Sequence, residues 1–153
     1  MRRKRAETVL ILCLAVSTFA FAFLWLAEKN SREDVKELAQ AAALDAYTRF
    51  SAYLSHGDAS EYWDGAASFH TFQQAYHLMA KGTNKEADSL ICREVSGYLI
   101  AEPAKSQAHM TDLVRMMKLL SEDAEDLNGH AQMLELRNAL SYSERKAQRG
   151  FSA

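Results

Sequence analysis

The chain has 153 residues, of which 48% are apolar and 25% charged, with a formal net charge of −2 and two cysteines. That length suits one compact domain plus a short accessory segment. The near-neutral balance argues against a nucleic-acid binder, which needs a concentrated basic face, and two cysteines are too few for a disulfide-built scaffold.

The first element is the uncharged run from Thr8 to Ala27, TVLILCLAVSTFAFAFLWLA. Twenty helical residues span roughly 30 Å, the thickness of a bilayer core. The run holds eleven Leu, Ile, Val or Phe, each contributing about −0.3 to −0.6 kcal/mol near the centre of an inserted helix. Arg2, Arg3, Lys4 and Arg5 precede it, so residues 1–7 are expected in the cytoplasm and everything after residue 27 outside. A cleaved secretory signal is the rival reading, with Ala20 and Ala22 offering an A-x-A site. Cutting there would leave Phe23, Leu24, Trp25 and Leu26 at a new N-terminus in water, and the apolar run exceeds the usual signal core. The expectation is an uncleaved signal-anchor, a single-pass span over 8–27.

The remainder carries 14 basic and 19 acidic residues, a balance of −5. Cys13 lies in the apolar run and Cys92 stands alone after it, so no intradomain disulfide can form. Asn30, Asn84, Asn128 and Asn138 all lack the N-x-Ser/Thr acceptor pattern. The lack of bridges and glycan sites leans towards a bacterial cell-envelope protein.

Residues 28–141 read as an all-α bundle of four to five helices, with no alternating β-branched run. Residues 32–55 place Val35, Leu38, Ala42, Ala46, Phe50 and Tyr53 on one face, and His56-Gly57-Asp58 ends that helix. Ala39, Ala42, Ala43 and Ala46 would allow close approach within a bundle or across a dimer. Asp58-Ala-Ser-Glu61 predicts an N-cap, followed by a face of Tyr62, Ala66, Phe69, Phe72, Tyr76 and Met79 and a stop at Gly82. Thr83-Asn-Lys-Glu86 reads as a capping box that starts a third helix, burying Ala87, Leu90, Ile91, Val95 and Tyr98 or Leu99. Pro103 suits the first turn of a fourth helix with the stripe Met110, Leu113, Val114, Met117 and Leu120. Ser121-Glu-Asp-Ala is either a short turn or mid-helix; a fifth helix would turn Leu127, Ala131, Leu134 and Leu140 inward. Residues 142–153 lose apolar periodicity and read as a frayed end and flexible polar tail. Arg145, Lys146 and Arg149 could reach anionic wall polymer or headgroups, although a solvated terminus is the simpler reading.

No catalytic, cofactor-binding or metal-binding set emerges. His70 and His77 share a helical face, but the chain contains neither Glu-x-x-His pairs nor His-Glu-x-x-His. Cys92 follows Ile91 in a helical pattern, where a buried, inert thiol is expected. Glu125 and Asp126 sit in an acidic helix start, where the helix dipole accounts for them. No Gly-x-Ser-x-Gly elbow or glycine-rich phosphate loop is present. The candidate partner-binding residues are Trp63, which falls off the best apolar stripe, and Met116, which with Met117 suits an adaptable contact surface. Core packing is the competing account of both.

One ordering is familiar. A basic start and a membrane span lead into a juxtamembrane helix with Tyr47-Thr-Arg-Phe50 and a helix around Trp63. Leu90-Ile-Cys-Arg-Glu-Val-Ser-Gly-Tyr-Leu99 follows, then Pro103 and a helix from Leu113 to Leu120. This layout resembles the N-terminal region of the YpeB-type spore germination proteins. The resemblance implies a membrane-anchored helical protein of spore-forming bacteria that associates with cortex-lytic enzymes. That family also carries C-terminal PepSY-type domains, for which these 153 residues hold no counterpart, and Gly97, Tyr98 and Pro103 are the closest matched positions. The sequence therefore leads to a non-enzymatic, single-pass anchored bundle that binds another envelope protein, such as a cell-wall hydrolase, or itself. The alternative is a ligand-sensing helical ectodomain that acts through a membrane partner.

Overall fold

The computed structural model describes Lys29 and residues 31–150, with side chains through Ser141. The apolar run 8–27, on which the anchor and its orientation rest, lies outside the described residues. None of the described helices is long and apolar enough to cross a membrane.

Six helices and no strand occur among the described residues. Helix α1 covers residues 31–56 and stops where Gly57 turns to φ +72°, a region that costs any residue with a Cβ. Asp58 then caps α2 (Ala59–Ala80), as the sequence predicts: its carboxylate accepts from the Ser60 N–H at 2.9 Å. Gly82, at φ +73°, supplies the predicted stop.

The turn into α3 (Glu86–Ala101) uses the predicted residues differently. The Thr83 hydroxyl donates back to the Ala80 carbonyl (2.7 Å) and accepts from the Lys85 N–H (3.1 Å). The Glu86 carboxylate reaches the Gly82 N–H (2.7 Å). These bonds close the turn rather than cap the helix, so α3 starts later, at Glu86.

Pro103 opens α4 (Pro103–Ala108) at its first position, as expected, but the helix predicted to run on to Leu120 is two helices. His109 breaks it, with its N–H held by the Ser106 carbonyl at 3.0 Å, and α5 runs from Met110 to Glu122. The open question at Ser121–Ala124 resolves as a helix end at Glu122 followed by a turn over residues 123–126. Asp126 then accepts from the Gly129 N–H at 2.7 Å and α6 begins, spanning Leu127–Gly150. The backbone predicted to fray from residue 142 is thus helical to Gly150, and residues 151–153 fall outside the described set.

From Val35 onward the helices form one compact unit. Helices α2 and α3 pair, as do α5 and α6, and α3 also packs on α6 and α4. Phe50, Tyr62, Phe69, Phe72, Leu99, Leu113, Met117 and Leu120 have no exposed surface. Each such side chain contributes about 1.5–3 kcal/mol of burial.

The predicted face of α2 is the observed one, whereas three other helices are rotated from expectation. In α1, Leu38 is exposed while Ala39 and Ala43 join Ala42, Ala46 and Phe50 inside. In α3, Ala87 and Leu90 face solvent, and Ser89, Cys92 and Ser96 join Val95 and Leu99 inside. In α6, Leu127, Ala131 and Leu134 are out, and Met133 and Leu136 are in with Leu140. In α1 the inward positions are mostly alanines, and at two other points a glycine marks the closest approach. At Gly65 a Cβ would sit 2.6 Å from the Phe50 ring, and at Gly129 one would sit 2.8 Å from the Leu120 side chain.

A charged clamp joins the start of α1 to the two turns beneath it. Lys36 Nζ lies 2.8 Å from Asp123 and 3.8 Å from Glu125, and Lys85 Nζ lies 2.7 Å from Glu125. The Gln40 amide donates to the Glu122 carbonyl at 2.8 Å. The hydrogen bond from Lys36 holds the Asp123 carboxyl below its ordinary value, against a smaller opposing push from burial.

Three outcomes are expected from urea melts of the purified protein. Gly65→Ala lowers stability by about 1–3 kcal/mol through overpacking against Phe50. Gly97→Ala, with open space around its Cβ, raises it by roughly 0.5–1 kcal/mol. Asp123→Asn costs under about 1 kcal/mol at pH 7, because the pair is part-exposed and screened. Since the native carboxyl titrates below the unfolded one, the ion pair's contribution is complete above about pH 4 and disappears as pH falls through the lowered native value. The wild-type and variant melting curves should converge there.

Candidate functional site

At the end of the bundle where α1 stops and α2 starts, one missing hydrogen organises the surroundings. The Leu99 carbonyl, four residues before Pro103, would normally accept from the amide of residue 103, and proline has none. The Tyr62 hydroxyl donates to Leu99 O instead, at 2.7 Å, from a side chain with no exposed surface. Burial pushes the Tyr62 hydroxyl above its ordinary pKa, which keeps the donor protonated. One carbonyl earlier, Tyr98 O takes the Glu102 N–H (2.9 Å) and the hydroxyl of buried Ser106 (3.1 Å), which ties α4 to the end of α3.

Aromatic rings build outward from Tyr62. Tyr53 meets it edge-on at 5.6 Å, Phe50 lies tilted at 6.2 Å, and Trp63 packs edge-on at 5.2 Å. Trp63 is therefore braced by a locked ring and still 47% exposed. Leu54, next to Tyr53, and Ile100, next to Leu99, are exposed to a similar degree. Alongside runs a polar rim, in which the Arg49 guanidinium lies 3.1 Å from Glu61, 3.7 Å from Asp64 and 3.7 Å from Asp45. An exposed aromatic anchor beside a charged rim is the usual anatomy of a protein-binding patch.

The other predicted contact residue lies elsewhere. Met116 is fully buried on α5, so it is core filling and contributes nothing to a surface. Met117 is buried beside it.

The two histidines singled out by spacing have a different use. His70 Nδ1 meets the Ser96 hydroxyl at 3.2 Å, and His77 Nδ1 meets the Ser89 hydroxyl at 3.0 Å. Both serines are nearly buried. With the Gln74 amide donating to His70 Nε2 at 3.0 Å, the His70 proton sits on Nδ1 and is given to Ser96. The pairs make a polar seam along the antiparallel α2–α3 hairpin. The sequence carried a signal for it that inspection of the histidines alone missed: Ser89 and Ser96 are also seven apart, and heptad spacing on both strands of a hairpin brings the pairs level.

Cys92 is fully buried, and burial pushes its thiol well above the ordinary range, away from the reactive thiolate. Glu125 serves the lysine clamp and Asp126 the start of α6.

Tyr62→Phe should lower stability by about 1–3 kcal/mol, because it strands the Leu99 carbonyl in a buried position. Replacing Pro103 with alanine restores an amide at residue 103. In a Pro103→Ala background the Tyr62→Phe penalty should therefore fall by roughly half or more, read as the coupling term of a double-mutant cycle. Additive penalties would show that the two donors do not compete for Leu99. In comparisons with known proteins, no family model, curated protein or solved structure matches the chain.

Proposed function

We propose that this chain is a non-enzymatic, single-pass membrane protein whose extracytoplasmic helical bundle binds another cell-envelope protein through the bundle end around Trp63. The observation that carries the reading is Trp63 itself: a large side chain about half exposed and packed edge-on against the buried Tyr62 ring. A preorganised aromatic anchor binds without first paying for its own ordering.

The location rests on the sequence. The apolar run 8–27 would hold the protein in the membrane, and Arg2–Arg5 would keep its N-terminus in the cytoplasm. Anchoring raises the effective concentration of the bundle near other membrane-associated partners. The resemblance to the YpeB-type germination proteins proposes the partner class, a cortex-lytic or related cell-wall hydrolase in a spore-forming bacterium. Self-association through the same patch is the competing outcome.

The test is crosslinked capture with the full-length tagged protein from its own membranes, comparing wild type with Trp63→Ala, Leu54→Asp and Ile100→Asp. A cell-wall hydrolase should be recovered by wild type, and its recovery should fall about 30-fold or more with Trp63→Ala, the effect of losing a hot-spot residue. The melting temperatures of the two Asp variants should stay near wild type, since both positions are exposed. Equal recovery across the panel would remove this patch from consideration. Recovery of the protein alone would replace the scaffold with a self-associating element.

A further inference from the structure

The Trp63 end of the bundle is short of cations. Residues 50–80 contain no lysine or arginine, yet hold Asp58, Glu61 and Asp64. Asp58 is spent on the start of α2, where it accepts from the Ser60 N–H and hydroxyl, both at 2.9 Å, and the helix dipole offsets its charge. Glu61 and Asp64, with Asp45 of α1, share Arg49, which lies 3.1 Å from Glu61 and 3.7 Å from each of the other two. Three carboxylates against one guanidinium leave two negative charges in surplus. Asp45 and Asp64 also keep more than half of their side-chain surface open.

The exposed face of α2 sets the indole beside this surplus. Ser60, Trp63, Asp64 and Ala67 take the i, i+3, i+4 and i+7 positions of one helical face, and all four are exposed. Trp63 and Asp64 diverge by about 100° around the helix axis, with Ser60 and Ala67 between them. Both intervening side chains are small, and the Ser60 hydroxyl is folded back onto Asp58. A long cationic side chain laid along Ser60 and Ala67 therefore has the indole on one flank and the Asp64 carboxylate on the other. The ring attracts it through its quadrupole and the carboxylate through its charge. An anionic side chain in the same place is repelled.

We infer that the protein partner held at Trp63 presents a basic segment, with an arginine or lysine laid between the indole and Asp64. The inference rests on the reading of Trp63 as the capture surface and adds the charge of what is captured. Complementary charge at an open rim speeds the encounter and selects among partners, and salt weakens it. The same surplus turns anionic polymers and anionic lipid away from this end.

The test uses the full-length protein in detergent with Trp25→Phe, which leaves Trp63 as its only tryptophan. Titration with tetra-arginine amide at low salt should shift the indole emission saturably, with a Kd on the order of 0.1–1 mM. Asp64→Asn should weaken the peptide about threefold or more. Arg49→Gln, which frees the shared carboxylates, should tighten it by about as much, a gain that loss of folding cannot produce. Tetra-glutamate should leave the emission unchanged. In capture from membranes, Asp64→Lys should lose the partner as Trp63→Ala does. No shift with tetra-arginine up to about 10 mM, an equal shift with tetra-glutamate, or unchanged affinity in both charge variants would each overturn the basic assignment. Capture that survives Asp64→Lys but not Trp63→Ala would overturn it too, while keeping Trp63 as the capture surface. Capture indifferent to both variants would reject the Trp63 reading itself, and this inference with it.

Discussion

The hydrogen bond from Tyr62 to the Leu99 carbonyl is the constraint around which one end of this molecule is arranged. It exists because Pro103 cannot supply the amide that an uninterrupted helix would place there. A carbonyl left unpaired in a buried setting costs more than a typical hydrogen bond returns, so the donor must come from another element. Taking it from α2 brings the start of that helix to the end of α3. Tyr62 then has one orientation, and Trp63, the next residue, leans edge-on against its ring. The exposed indole owes its fixed placement to a defect in a helix on the far side of the hairpin.

The rest of the packing is governed by absent side chains as much as by present ones. Ala39, Ala42, Ala43 and Ala46 lie buried along α1, Gly65 receives the Phe50 ring, and Gly129 receives Leu120. Each contact permits a closer approach than a larger side chain would, and close approach multiplies dispersion contacts. Leucines at 38, 90, 127 and 134 stay outside. Several leucines spread around a helix offer more than one apolar face, and the packing of the neighbouring helices chooses among them.

Polar groups divide by depth. In the α2–α3 seam, serine hydroxyls close to the interior are matched to histidine nitrogens nearer the surface, whereas the buried Tyr76 hydroxyl of α2 has no partner among the described residues. At the opposite end from Trp63, Lys36 and Lys85 share the carboxylates of the α5–α6 turn. Those pairs are part-exposed and individually weak; their effect is to hold two turns and the start of α1 in one place. Both arrangements leave the Trp63 end as the part of the bundle where an aromatic side chain is presented rather than used.

The sequence by itself determined the helical class, the Asp58 cap, the Gly82 stop, the place of Pro103 and the inward face of α2. All of these are interactions within about four residues along the chain, or a stripe of aromatics too dense to turn any other way. The tertiary structure decided the rest. The rotation of α1, α3 and α6, the break at His109, the burial of Met116 and the pairing of two serines with two histidines depend on which neighbour can come close. A helical period records that a face is apolar, but not which of two adjacent apolar faces the rest of the chain will cover.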